Sequence, residues 1–293
     1  PALSGTVGLG NIGGVALAIM LGGPGAIFWM WIFGFLGMSI NILEVTLAML
    51  YRNTDDPDNP HGGPMWVAGR ALKRMKPELG WLGTVLAFGF SFCVMMSSGT
   101  GGNMFQAWNV ADVTNEYFGI AGWISGAVLT AVVGTVLIGG IKRIGKVAGT
   151  IVPAMVLIYI IAGFYVLFAN VGEIPAMLKL IVVSAFLPTE ATGAFIGGTV
   201  GSAFLFGMKR AVFSNEAGQG SSAIAHAAAK TDEPVREGLV GGMEPFIDTI
   251  VVCTFTALII LSTGVWNRAP DVTFDAEPQP VRTEAGWAYP DTP

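Results

Sequence analysis

Four carboxylates (Glu44, Glu216, Glu244 just before Pro245, and Asp248) and several amides stand in apolar surroundings in this sequence, and such groups call for a chemical reason. Asp248 is the deepest, ten residues into a run of apolar residues, where an acid costs about 2.5–3.5 kcal/mol on membrane-insertion scales. A buried acid of this kind binds or gates a cation, or it pairs with a base for structural reasons; the residues alone leave both readings open. Glu44 lies toward the end of an earlier apolar run. Glu216 follows Asn215 and stands near Lys209 and Arg210. Glu44, Asn215 and Glu216 read as gating or structural groups, with the acids paired to those bases.

A second set of candidates lies at the start of the chain. Thr6 and Asn11 sit among Gly5, Gly8, Gly10, Gly13 and Gly14. Each glycine costs a helix interior about 1 kcal/mol relative to alanine. An apolar helix so weakened opens its backbone. Freed N–H groups at a half-helix start suit a carboxylate, and freed carbonyls suit a hard cation such as sodium. Thr6 and Asn11 add neutral oxygens of the kind sodium favours. The bland alternatives are close helix packing through small residues and side-chain bonds to the local backbone. Gly193, Gly197, Gly198, Gly201 and Gly207 crowd a later apolar run in the same way. Asn103 and Gln106 close a third run, as ligand contacts or as a solvated helix end.

Other chemistries find little support. Gly8-Leu-Gly10-Asn-Ile-Gly13 matches the spacing of a dinucleotide fingerprint, but its flanks are membrane-length apolar sequence and no acid follows about twenty residues on. His61 and His226 have no metal-ligand companions at useful spacing and read as solvated or capping groups, so no transition-metal site is expected. Cys93 and Cys253 lie in apolar runs and read as small buried hydrophobes. No Ser–His–Asp set and no zinc-protease motif can be assembled, so an enzyme is not expected. A membrane enzyme or a non-transporting receptor on a similar helical bundle is the alternative reading.

These candidates need helices that cross a bilayer. The 293 residues are 53% hydrophobic and 12% charged, with 41 glycines, and the mean hydropathy is +0.63. An ordinary soluble domain carries about 25% charged residues. The class is therefore an all-α polytopic membrane protein, with no basic stretch suited to nucleic acid. Seven spans are expected, at about 1–21, 26–51, 81–106, 120–140, 147–169, 193–225 and 238–264. Residues 1–264 form one transmembrane domain, and 265–293 read as a loop. Residues 65–75 and 174–186 read as interfacial segments, Asn109 to Glu116 as a polar separator, and Gly139 to Lys146 as a short basic turn. Pro1 already lies in an apolar run and the chain ends in polar sequence, which reads as a piece lacking residues at both ends.

Orientation follows from the basic residues. If 52–80, 140–147 and 207–237 are cytoplasmic, they hold twelve of the 15 lysines and arginines, as the positive-inside rule asks. The tail at 265–293 is then extracytoplasmic. The first and sixth spans, both glycine-broken, cross in opposite directions, which points to an inverted repeat with a site near the midplane.

Several motifs together then resemble one family. Gly22-Gly-Pro-Gly-Ala-Ile-Phe-Trp-Met-Trp31 is similar to the signature of the alanine or glycine:cation symporters, of the amino acid–polyamine–cation superfamily. Gly8-Leu-Gly-Asn-Ile-Gly-Gly-Val15, Phe213-Ser-Asn-Glu-Ala-Gly218 and Glu244-Pro-Phe-Ile-Asp248 agree with it. The resemblance covers nearly the whole chain apart from the tail. It implies a leucine-transporter-like fold of two inverted five-helix repeats, with spans 1 and 6 broken. It also implies sodium-coupled uptake of alanine, glycine or both across the plasma membrane, bacterial inner membrane included, with no cofactor beyond the coupling Na+. On this chain the substrate site would draw on Thr6, Gly8, Gly10, Asn11, Asn103, Gln106, Gly197, Gly198, Gly201 and Ser202. Thr6, Asn11 and Asp248 would serve the cation. Leu9 and Gln219 depart from the expected pattern, as a small or hydroxylated residue and a leucine are expected there. Family members carry further spans after the seventh. The oligomeric state is not fixed by the sequence, and a monomer is compatible with it.

Overall fold

The computed structural model describes residues 8–56, 60–187, 199–267, 281–283 and 286–288. Their regular structure is helical apart from a two-stranded antiparallel ribbon, Val281–Thr283 with Gly286–Ala288, and one isolated bridge between Asn53 and His61. That ribbon lies in the tail read above as a loop. Thr6, Gly197 and Gly198 lie outside the described residues.

Helix α1 (Leu9–Gly22) leads through the Gly22–Pro24 turn into α2 (Gly25–Tyr51). α2 is the hub of the molecule. It packs against α1, α3 (Pro64–Met75), α8 (Ile174–Ser184), α9 (Val200–Asn215), α10 (Ser221–Ala227) and α11 (Pro234–Pro245). Its sequence alternates bulky apolar residues with glycines, and the glycines lie where neighbours cross. A Cβ on Gly34 would sit 3.1 Å from Thr249 Cγ2, and one on Gly37 3.2 Å from Asn215 Nδ2. The partners supply glycines in return. A Cβ on Gly241 would lie 2.7 Å from Val45 Cγ2, and Gly207 abuts the Ala26 carbonyl and the Trp29 side chain. Small residues let apolar helices approach closely where no hydrophobic drive from water acts between them.

These contacts also set depth. From Gly207 to Asn215, α9 runs beside α2 from Ala26 to Gly37. α10 lies near Ala48, toward the Tyr51 end. α11 starts beside Thr46 and climbs past Val45 and Met38. It continues as a π-helical stretch, Phe246–Cys253, and then as α12 (Thr254–Ser262). Gly34 of α2 meets Thr249 and Ile250 of that stretch.

Four helical stretches are long and apolar enough to cross a membrane: Gly25–Tyr51, Pro77–Phe118, Arg143–Ala169 and Pro234–Ser262. Leu9–Gly22 and Gly122–Leu137 are shorter apolar helices. This is the make-up of a polytopic membrane protein.

Several boundaries differ from the sequence reading. The stretch from Asn109 to Glu116 does not separate two spans. It is helical, as α5 (Phe105–Phe118), and continues α4 (Gly80–Ser97) through a π-helical link at Ser98–Met104. The polar residues Asn109, Asp112 and Glu116 recur at helical spacing, so the pattern extends the helix on one face. Asn109 Nδ2 donates to the Phe105 carbonyl at 2.7 Å. The stop is Gly119, left-handed at φ 65, whose N–H returns to the Asn115 carbonyl. Likewise the basic turn at 139–146 belongs to the first turns of α7 (Gly140–Ala169), after α6 (Gly122–Leu137). The sixth run is not one helix to 225. It ends at Asn215, where Glu216 adopts φ 55 and caps α9 through its N–H to the Val212 carbonyl, and α10 follows separately.

Candidate functional site

The glycine-rich start of α1 supplies one wall of a cavity of about 350 Å³. Gly8 and Gly10 stand on that wall, and Ser97, Ser98, Gly101, Gly102 and Gln106 face them from the link between α4 and α5. The loop after α9 closes the Tyr51 side with Glu216, Gln219 and Ser221. Phe90, Cys93, Val94 and Phe213 add apolar surface. A concave site with a few convergent polar groups and glycine backbone suits a small zwitterion. Gly8, Gly10, Gln106 and Glu216 are thus brought together from distant parts of the sequence.

Behind the cavity lies a buried polar network. Asn11 Oδ1 accepts the Gly8 N–H at 2.7 Å, which fixes the entry of α1. Its Nδ2 donates to Asp248 Oδ1 at 2.5 Å and approaches Ser214 Oγ at 3.2 Å. Thr249 Oγ1 donates to Asp248 Oδ2 at 3.1 Å, and Asn215 Nδ2 donates to Thr249 Oγ1 at 3.1 Å. Asn11 is 1% exposed and Asp248 0%. Asp248 has no ion-pair partner among the described residues. Buried charges are ordinarily paired or ligate a metal, and the described groups around this carboxylate, Asn11, Ser214 and Thr249, are all neutral. Structural pairing of Asp248 with a base is therefore not what the described residues show.

Other candidates lie elsewhere. Asn103 is exposed and does not line the cavity. Gly201 and Ser202 are at the start of α9, where Ser202 and Thr199 form a capping box. The two acids do not pair with Lys209 and Arg210. Glu44 Oε2 accepts the Gly218 N–H at 3.3 Å, and Glu216 accepts the Ser221 hydroxyl. The bases are lifted away along α9, where their side chains lie over the rings of Phe206 and Phe213. Cys253 is buried, as expected, but Cys93 is exposed.

His226 is a residue the sequence reading missed. It is 5% exposed rather than solvated. Its Nδ1 lies 2.6 Å from Glu237 Oε1, and its Nε2 is 3.2 Å from Glu244 Oε1. Ser222 Oγ donates to Glu244 Oε2 at 2.5 Å. The i, i+11 and i, i+18 separations carry no local signal; only the packing of α10 on α11 joins these groups. Burial lowers the proton affinity of the imidazole, but Glu244 and Glu237 outweigh it and raise the pKa above the ordinary 6.5. The clamp is therefore fully present below about pH 6.5 and is lost as pH rises through the raised value. Thermal unfolding of the detergent-solubilised protein is expected to favour wild type over His226→Gln at acid pH. The gap should narrow with rising pH, and a gap independent of pH would refute the assignment.

The sodium/alanine symporter AgcS of Methanococcus maripaludis is 46% identical over 264 residues, covering 90% of this chain and 56% of that protein. The probable sodium/glutamine symporter GlnT of Bacillus subtilis is 39% identical, covering 91% and 53%. The sodium/proton-dependent alanine carrier protein of Bacillus sp. (strain PS3) is 36% identical, covering 91% and 56%. The chain spans about half the length of these curated relatives. Their names are those of transporters rather than enzymes. Residues 1–286 match the sodium:alanine symporter family, and the chain belongs to that family.

Proposed function

We propose that the complete protein of which this chain is part couples sodium entry to uptake of a small neutral amino acid, alanine or glycine first, by alternating access. The observation that carries this is Asp248: a fully buried carboxylate, 2.5 Å from Asn11 and without a basic partner among the described residues. It lies beside a cavity of about 350 Å³ bounded by the glycines of α1. Sodium would be held at Asp248 and Asn11, with Thr6 as a further oxygen. The substrate would sit against Gly8 and Gly10, with Gln106 opposite. The fold would be leucine-transporter-like, with inverted repeats, seven spans in this chain and breaks in spans 1 and 6.

The Tyr51 end is assigned to the cytoplasm of the plasma membrane because Arg52, Arg70, Lys73, Arg74, Lys76, Lys230 and Arg236 gather in the loops and short helices around it. Lys209 and Arg210 do not contribute to that count, since they lie beside the Ala26–Gly37 stretch of α2. The names of AgcS and the alanine carrier support alanine as substrate, while GlnT shows that a relative is named for glutamine.

The test is uptake by the full-length protein in proteoliposomes. A sodium gradient is expected to drive alanine accumulation, and removal of sodium to abolish it. Uptake that ignores sodium and follows a proton gradient would overturn the coupling.

A further inference from the structure

A second cavity lies beside the first and is not used by the site described above. It measures about 440 Å³ and is lined by Gly101, Phe105, Phe206, Lys209, Arg210 and Phe213. The two cavities share Gly101 and Phe213. The Phe213 ring is the wall between them. Glycines flank it on two sides: a Cβ on Gly10 would lie 3.8 Å from the ring, and one on Gly101 3.6 Å from it, both at contact distance. Phe105 meets the ring edge-on at 6.0 Å.

The chemistry of this cavity is cationic. Arg210 is half-buried and its guanidinium is 5.5 Å from the centre of the Phe213 ring. Its stem and one guanidinium nitrogen lie against Gly14 of α1. Lys209 Nζ is 5.7 Å from the Phe206 ring. Neither base has a carboxylate partner or a hydrogen-bond acceptor among the described residues. Aromatic faces hold the two cations in place and leave their N–H donors unused. A guanidinium with free donors at membrane depth is a receptor for a carboxylate, which it binds by paired hydrogen bonds.

Position adds the second argument. Lys209 and Arg210 lie one to two turns above Asn215 on α9, on the Gly25 side of the Glu216–Ser221 loop. This second cavity is therefore nearer the Gly25 end than the first. With the Tyr51 end cytoplasmic, it lies on the outer side of the first.

We infer that this cavity is an entry site that captures the α-carboxylate of the external amino acid on Arg210 and Lys209, with the Phe213 ring as the partition to the central site. The inference rests on the transport reading above. Phe213 would turn aside to pass the substrate, and the glycines at positions 10 and 101 leave the ring room to move.

The experiment is initial-rate alanine uptake by the full-length protein in sodium-loaded-gradient proteoliposomes. Arg210→Gln is expected to raise the half-saturation concentration by about tenfold or more, the loss of one charge-assisted bond, with the maximal rate little changed. Arg210→Lys, which keeps the charge but loses the paired bonds, should recover only part of the affinity. Alaninamide, which lacks the carboxylate charge, should compete far less well than alanine against wild type, and Arg210→Gln should remove the part of that disadvantage set at the entry site. An unchanged half-saturation concentration, or a fall in maximal rate alone, would overturn the entry site and leave the transport reading intact. Wild-type protein that takes up no amino acid overturns both. Should Arg210→Gln fail to reach the membrane folded, Lys209→Gln on the exposed side of the cavity carries the same test, with a rise of about threefold or more expected and no rise overturning the site.

Discussion

Asp248→Asn is expected to abolish sodium-driven uptake while leaving the protein as stable as wild type or more so. The two effects have opposite signs because the carboxylate has opposite consequences for folding and for ion binding. Its charge is fully buried, and its hydrogen-bond partners among the described residues are neutral: Asn11 Nδ2 at 2.5 Å, Thr249 Oγ1 at 3.1 Å, and Ser214. Burying an unpaired charge costs several kcal/mol, at the order-of-magnitude level. Asparagine has the same shape, and its carbonyl oxygen can still accept from Asn11. What it lacks is the negative charge that a sodium ion would neutralise. A loss of at least about a hundredfold in apparent sodium affinity is expected, from about 3 kcal/mol per charged contact. Asn11→Ala should behave differently. It strands the Gly8 N–H, now 2.7 Å from Asn11 Oδ1, as well as the Asp248 carboxylate. It should therefore lose both stability, by about 1–3 kcal/mol, and sodium dependence. Sodium titration of uptake beside a thermal melt separates the two patterns. Normal sodium stimulation in Asp248→Asn would remove this residue from the cation site.

Gly207→Ala should destabilise the fold by about 3 kcal/mol or more, the upper end of what overpacking costs. Gly207 is where α9 crosses α2, and the added methyl would overlap the Ala26 carbonyl and come within 2.7 Å of Trp29 Cβ. Helix backbone cannot yield as a flexible side chain can. Neighbouring helices would have to separate, and both walls of the site hang on them: α9 carries Phe213 and Ser214, and α2 holds the π-helical stretch bearing Asp248. Gly89→Ala is the matched control. Nothing lies within 4 Å of a Cβ at position 89 in α4, so the change should be neutral or stabilising by about 1 kcal/mol through helix propensity. Fluorescence-detected melting of the two variants in detergent tests this. Equal melting temperatures for Gly207→Ala and wild type would show that the crossing can expand.

The glycines show how one signal in a sequence carries two structural meanings. Those of α2 and α11, with Gly207 of α9, serve close packing, one of the two readings that the residue types leave open. The meaning of Gly8 and Gly10 depends on what stands opposite. They face a cavity because Ser97, Ser98 and Gln106 are held back by the π-helical link between α4 and α5. Charged residues show the same limit. Lys209 and Arg210 read as part of a basic loop near Glu44 and Glu216, yet they lie on α9 beside aromatic rings. A helix keeps its course through two charges when a cavity receives them, and no local pattern reports a cavity. Polar Asn109 to Glu116 is helical for a related reason: i, i+3 and i, i+7 spacing gives one polar face, and the true stop is a left-handed glycine at position 119.

By itself the sequence determined the class and the family. Apolar runs of membrane length, low charge and clustered glycines leave little else physically possible, since a lipid-exposed backbone must satisfy its own hydrogen bonds. It also singled out Asn11 and Asp248 one at a time, because each is costly where it lies. Only the tertiary structure decided that they meet, 237 residues apart in sequence and 2.5 Å apart in space. The same holds for the clamp on His226, the partition at Phe213 and the unpaired guanidinium of Arg210. Each depends on which helices cross and at what depth. That is set by steric fit between glycines and side chains on separate helices, and a linear pattern does not record such fit.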